Sequence, residues 1–458
     1  MKRKIISISM TLVLCCVLAA CSTETPTVSS EPSESTVTFY EDTASAQSSE
    51  SSESTSSEDA APATYDDVIK QYGDVFGGLT LQQMQEDIDY LWTTIQESYP
   101  FLGLVRRKGI DAETAYNETR KALTEISSDY EFYNQINDFI RQFKSIGHLN
   151  LLPNNSYFEG YRDLVKTILD EHHMKRGQIL YDSLNKPVSI QSYANLEKLE
   201  EQLDALNGSE EQSENASLET LFADNPTFDI LEPDRIAYMK VPIMKDTPQV
   251  DHSQFIDFYT KIAGFEHLII DITGNGGGSS LYWRQNIVEP TLSQQISAER
   301  IILIPDSQAV IEYVTADDME LLPISQLPEL PGLEQDDLEQ LAYFYINKST
   351  YEPTGESPFS GKIWVLIDRR VYSSSEAFAI FCKSTGFATL VGTQARGDSG
   401  IDPQLFALPH SGLVVRFHTI YPTNADGSCN TEYGTMPDFV SPDGETPLET
   451  CLKLIESE

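Results

Sequence analysis

Positive charge is scarce in this chain of 458 residues: 31 Lys and Arg stand against 71 Asp and Glu, a formal charge of -40 at pH 7. That balance excludes nucleic acid as a partner and excludes direct adsorption on anionic lipid, because the protein's own field repels both. Cysteine is sparse as well. Beyond residue 21 only Cys382, Cys429 and Cys451 occur, an odd number without paired spacing, so neither a disulfide framework nor a metal-ligand pattern is written in the chain. No metal and no organic cofactor is implied. The apolar stretch from Ile5 to Val17 is too short to span a bilayer.

What that stretch does offer is a targeting signal. Met1-Lys2-Arg3-Lys4 precedes it, and Leu18-Ala19-Ala20-Cys21 closes it. A basic start, a short apolar segment and small residues before a cleavage point describe secretion. The segment resembles a bacterial lipoprotein signal, which implies that Cys21 is lipidated and anchors the mature protein outside the cytoplasm, on the cell membrane. From residue 22 to 64 the chain is Ser, Thr, Glu, Pro and Ala, with too little apolar surface to offset chain entropy: a tether.

The remainder divides into 65–152, a helical N-terminal domain; 153–230, a connecting region; and 231–458, an α/β core. Leu81, Met84, Ile88, Leu91, Trp92, Ile95 and Tyr99 recur at helical spacing, and further helices are expected over Ala112 to Ile126 and Tyr130 to Phe143. Gly147 ends the last of these, and His148 to Leu152 reads as extended. In the connecting region helices are expected at Leu164 to Lys175 and Tyr193 to Leu206. His172 and His173 are adjacent, so on a helix they diverge and share no ligand. From Arg235 the pattern alternates apolar strands (Ile236 to Val241, His267 to Ile272, Ile363 to Ile367, Ala388 to Val391) with helices (Ser253 to Ile262, Trp283 to Val288, and one starting at Ser374). Two more strands, Gln404 to Leu408 and Leu413 to His418, flank a turn at Pro409 to Gly412.

Two loops leave the carboxyl ends of those strands, the edge at which open α/β sheets bind ligands. One is Gly274-Asn275-Gly276-Gly277-Gly278, whose glycines permit a close backbone approach with N–H groups turned toward a carbonyl. It lacks the spacing of a nucleotide-binding loop. The other is Tyr372-Ser373-Ser374-Ser375-Glu376, which sets a hydroxyl at the positive end of a helix, where an attacking oxygen and an oxyanion would both be stabilised. The same Ser373 and Glu376 also have the spacing of a simple capping box.

Taken together, Asp271-Ile272-Thr273-Gly274-Asn275-Gly276-Gly277-Gly278, Ser373-Ser374-Ser375-Glu376 and Phe387-Ala388-Thr389-Leu390-Val391-Gly392 resemble, in order, the motifs of the serine peptidase family of C-terminal processing (tail-specific) proteases and tricorn proteases. The resemblance covers Tyr238 to Phe439. It implies a crotonase/ClpP-like α/β core behind an N-terminal helical domain, and cleavage of peptides or unfolded proteins through an acyl-enzyme on Ser373. The processing branch draws its base from a lysine 25 residues after the nucleophile, and Asp398 stands there in this chain. Lys383, about 15 Å away along the helix, does not replace it. The tricorn-like branch instead uses a histidine from the helical region and a glutamate before a Pro-Asp pair, which implies His148 as general base and Glu432, ahead of Pro437-Asp438, as the group orienting it. The oxyanion donors implied are the N–H groups of Ser374 and of Gly277 or Gly276. Because His148 and Ser373 lie in different domains, interdomain closure is expected to assemble the site. Thr273 in place of the family's Arg and Asp398 in place of its Lys motivate a second reading, a non-catalytic peptide- or ligand-binding lipoprotein on the same scaffold. No PDZ segment follows His148.

Overall fold

The computed structural model describes residues 64–172, 175–207, 226–400 and 403–458. Cys21, the tether and His173 lie outside that set. No helix among the described residues is long and apolar enough to cross a membrane.

The centre is a six-stranded sheet ordered Phe439–Val440, Thr389–Gly392, Lys362–Ile367, His267–Asp271, Ile236–Lys240 and Thr227–Glu232, parallel except for its last strand. Side chains alternate across it, as the pleat demands. Leu268, Ile270, Ile363 and Val365 enter one core with Phe255, Tyr259, Phe378 and Cys382 from covering helices. Ile269, Trp364 and Leu366 enter the other, closed by Cys451 and Ile455 of the C-terminal helix Pro447–Glu456. Burial on both faces is why these strands read as continuous apolar runs. Cys382, Cys429 and Cys451 are all free and buried.

The front helices form over Leu81–Ser98, Ala112–Ala122 and Asp129–Arg141. Thr80 and Gln83 close a reciprocal capping box on the first of them. In the connecting region the helices run Asn155–His172, Lys175–Leu184 and Pro187–Asn207, the middle one not expected from the sequence.

The hydrophobic cores do not follow chain order. Two antiparallel arms, Ile296–Pro305 and Leu341–Tyr351, which the sequence pattern leaves unmarked, form a second sheet with Tyr421–Pro422 and Leu322–Pro323. A third sheet pairs Asn150–Leu151 with Val414–Phe417 and Gln404–Ala407. Both pack into the same core as Ile88, Leu91, Phe132 and Phe139 of the front helices. A buried carboxylate pins this junction: Asp87 on the first helix accepts from the His410 and Ser411 backbone N–H groups, each at 2.8 Å. Through the Asn150 pairing, the segment carrying His148 is fixed to the edge of the back half.

Candidate active site

The strand Lys362–Ile367 delivers a short turn into the helix Ser374–Thr385, and Ser373 sits at the junction with φ 57° and ψ -120°. A non-glycine residue at positive φ is strained, and such strain persists only where surrounding bonds over-determine it. Here the Ser373 N–H donates to the Gly397 carbonyl at 3.3 Å and its carbonyl accepts from Ala377 at 2.9 Å. The hydroxyl makes no capping bond. Glu376 turns away from it, its Oε1 accepting from Asn430 Nδ2 at 2.7 Å and Thr435 Oγ1 at 2.6 Å. The capping-box reading of Ser373 and Glu376 is therefore excluded, and the serine oxygen is left half-buried without a structural task. Burial pushes the Glu376 carboxyl up to about 7, despite those two hydrogen bonds.

Asn275 joins the glycine loop to this turn. Its buried Oδ1 accepts from the Gly277 N–H at 2.9 Å and from Ser375 Oγ at 2.5 Å, while its Nδ2 donates to the Val241 carbonyl at 2.8 Å. Gly277, at φ 108°, has no room for a side chain: a Cβ there would stand 2.8 Å from the Tyr372 carbonyl oxygen and 2.9 Å from Ser373 Cβ. Its N–H, one of the expected oxyanion donors, is committed to Asn275. Gly276 is exposed, and among the described residues neither its N–H nor that of Ser374 has a protein acceptor. Those two amides remain free to donate.

His148 arrives on a tight wind of backbone in which Lys144, Ser145, Gly147 and His148 all take positive φ. Gly147 is required there twice over, by its φ of 58° and because a Cβ would lie 2.5 Å from the Phe101 ring. The imidazole is buried and stacks on Tyr372, the neighbour of Ser373, with ring centres 4.9 Å apart. Its Nδ1 lies 2.9 Å from Asp398 Oδ2. With a carboxylate at Nδ1, the neutral ring carries its proton on that side and keeps Nε2 as the lone-pair nitrogen. Burial outweighs the attraction of Asp398 and lowers the His148 pKa to about 4, so the ring is neutral at neutral pH.

Asp398 collects donors from five directions. Besides His148 Nδ1, it accepts from the His148 backbone N–H at 3.2 Å, Tyr372 OH at 2.6 Å, Thr431 Oγ1 at 3.2 Å and His418 Nδ1 at 3.0 Å. Burial opposes its ionisation, yet the charges of and hydrogen bonds from its imidazole partners hold the carboxyl well below the ordinary carboxylate range. Its position is set by the loop Gly397 to Gly400: Ser399 N–H and Oγ both bond Asn430 Oδ1, and Arg300 Nη1 donates to the Ser399 carbonyl at 2.8 Å. His148, Asp398 and His418 also present one ligand atom each within 4.8 Å of one another, donor types that suit zinc. The carboxylate's acceptor sites, however, are already filled by protein donors.

Glu432 is not the partner of His148. Its carboxylate is held by Arg107 Nη2 at 2.7 Å and Lys108 Nζ at 3.3 Å, and Arg107 is further tied to the buried Asp337 at 2.8 Å. The half-buried Arg107 outcompetes a neutral imidazole for that carboxylate, whereas Asp398 has only neutral donors and two imidazoles around it. The His148 ring is seated on Tyr372, the chain neighbour of Ser373. Sequence reading set Asp398 aside as a failed lysine and did not single out His418 or Tyr372; the signal available was the Gly397-Asp398-Ser399-Gly400 turn at the family's base position. Cys21 lies outside the described residues.

Residues 235–441 match the model of peptidase family S41. Among solved structures, the chain is similar to a candidate peptidase of Parabacteroides merdae at 17% identity, covering 81% of this chain and 96% of that one with a TM-score of 0.49. Mature CPAF complexed with lactacystin aligns at 12% identity over 82% of this chain and 97% of that one, TM-score 0.48. The photosystem II D1 C-terminal processing protease aligns at 17% over 51% and 53%, TM-score 0.32. No curated protein matches the chain in sequence.

Proposed function

The chain belongs to peptidase family S41 through residues 235–441, and from that membership we propose that it is a serine endopeptidase in which Ser373 attacks, His148 serves as base and Asp398 orients His148. The observation that carries this reading is the imidazole bonded at Nδ1 to an ionised carboxylate and stacked on Tyr372, the chain neighbour of a strained serine whose hydroxyl caps nothing. In the reaction Ser373 Oγ adds to the scissile carbonyl carbon as its proton passes to His148 Nε2. The charge that develops on the carbonyl oxygen is met by the Ser374 and Gly276 amides, each such donor contributing about 3 kcal/mol in the transition state. His148 then protonates the departing amine, and water repeats the sequence on the acyl-serine. Asp398 keeps the ring's tautomer and offsets the imidazolium charge without taking the proton itself.

The substrates are peptides or unfolded segments. The protein acts outside the cytoplasm, tethered through a lipid on Cys21; loss of detergent-phase partitioning in Cys21→Ala would support that anchor, and unchanged partitioning would refute it. A role for Asp398 beside His148 removes the main motive for a purely ligand-binding lipoprotein. The discriminating experiment is labelling with a serine-reactive fluorophosphonate alongside casein hydrolysis. Wild type is expected to label and to cleave, with both signals lost in Ser373→Ala and in His148→Ala. Equal labelling of wild type and Ser373→Ala rejects the nucleophile.

A further inference from the structure

A second imidazole lies in the site, and no step of the hydrolysis uses it. His418 follows directly on the strand Val414–Phe417 and is 2% exposed. Three contacts seat it. Its Nδ1 lies 3.0 Å from Asp398 Oδ1, its backbone N–H donates to the Gly147 carbonyl at 2.7 Å, and its ring centre is 4.3 Å from that of His148. Gly400 makes room for the ring: a Cβ there would stand 2.6 Å from the His418 Nδ1 and Cε1 atoms. One residue thus joins the loop of the orienting acid to the turn of the base, which are 250 positions apart in the chain.

The two oxygens of Asp398 divide the donors between them. Oδ2 faces His148 Nδ1 at 2.9 Å, the His148 N–H and the Tyr372 hydroxyl, while Oδ1 faces His418 Nδ1 and, at 3.2 Å, Thr431 Oγ1. The terminal torsion of an aspartate has broad, two-fold wells, so donors on one oxygen alone leave the plane of the carboxylate loosely set. A donor on the other oxygen fixes it. Resting on the peptidase reading above, we propose that His418 is a positioning residue: by holding Asp398 Oδ1 it aims Oδ2 at His148 Nδ1 and keeps the carboxylate shared between two rings. Sharing has an electrostatic consequence, because every donor draws on the same negative charge, and removing one leaves more of it for His148. The other ionisable groups facing the pair are Tyr372 on the serine turn, Arg416 on the strand before His418, and Tyr99 at the end of the helix Leu81–Ser98. Those three stay in place in the variants that follow.

His418→Phe keeps the ring's bulk against Gly400 and removes the donor, whereas His418→Asn sets an amide N–H near the place of Nδ1. The chain holds seven histidines, few enough for nitrogen-15 NMR of the histidine-labelled full chain to follow the His148 ring through a pH titration, with His148→Ala assigning its signal. In His418→Phe the protonation of His148 should move upward from about 4 by roughly half a unit to one unit, the range of one net hydrogen bond. In casein hydrolysis kcat should fall by about tenfold with KM within about twofold of wild type, since only the orientation of the base changes. His418→Asn should recover most of kcat and bring the titration back toward the wild-type value. If the Phe variant is insoluble, His418→Gln, whose amide reaches past the place of Nδ1, is expected to behave as Phe does. The titration is read in the resting protein and so holds in Ser373→Ala as well: a shift there, without hydrolysis by wild type, condemns the serine reading alone. A His148 titration unmoved by loss of the donor, or Phe and Asn variants that lose kcat and Tm alike, overturns the positioning role.

Discussion

Two carboxylates in the back half, Glu432 at the place where the resemblance implies the orienting acid and Asp398 at the place of the family's lysine, are treated by the structure in opposite ways. Glu432 is pinned between Arg107 and Lys108, an ion pair that is electrostatically closed. Asp398, at 3% exposure, is surrounded by neutral donors and two imidazoles, and so remains sensitive to a proton arriving on His148. What separates a structural acid from a chemical one is the company it keeps: a permanent cation quenches it, a titratable ring keeps it responsive.

The comparison is broken most sharply at Asp398. Asp398→Asn keeps the shape but takes away the charge that fixes the ring's tautomer, so kcat is expected to fall by about 10³- to 10⁴-fold, the scale seen when such a group is lost from Ser-His-acid sites. A fall of less than tenfold in steady-state hydrolysis would return the role to another residue. A smaller effect lies in the pH profile. His148 is neutral in the folded free enzyme down to about 4, whereas an exposed imidazole protonates near 6.5. The acid limb of kcat/KM should therefore bend near pH 4, tenfold per unit below it, and an inflection near 6.5 would show the ring to be solvated. The sign for stability runs the same way: the unfolded chain takes up a proton first, so this group destabilises the fold progressively as pH falls from about 6.5 to 4, and not above. The smallest effect is expected at Glu432→Gln, with kcat/KM within about threefold of wild type and a lowered Tm, because Arg107 keeps Asp337 as its partner. A large loss of kcat in that variant, with Tm unchanged, would erase the distinction between the two acids.

Much of this was legible along the chain, for physical reasons that differ by element. The parallel strands stand out because both their faces are buried, and the serine turn and glycine loop because each is a contiguous run whose residue types answer a backbone demand, as Gly277 does in clearing space for Ser373. His148 was reachable through the resemblance. Its partner was not, since Asp398 lies 250 positions further on and is selected by burial and competing cations, neither of which leaves a periodic trace. The arms Ile296–Pro305 and Leu341–Tyr351 escaped for a related reason: their partly exposed, mixed patterns give neither clean alternation nor a continuous apolar run.

The core shared by the front helices and the second and third sheets has a practical consequence for anyone wishing to produce the hydrolytic half alone. Cutting before residue 226 would strip Leu405, Val415, Phe417, Ile302 and Phe344 of their cover, and would free the edge of Val414–Phe417 that Asn150–Leu151 now occupies. Such a truncated product should be recovered as inclusion bodies, however intact its motif-bearing stretch looks on paper.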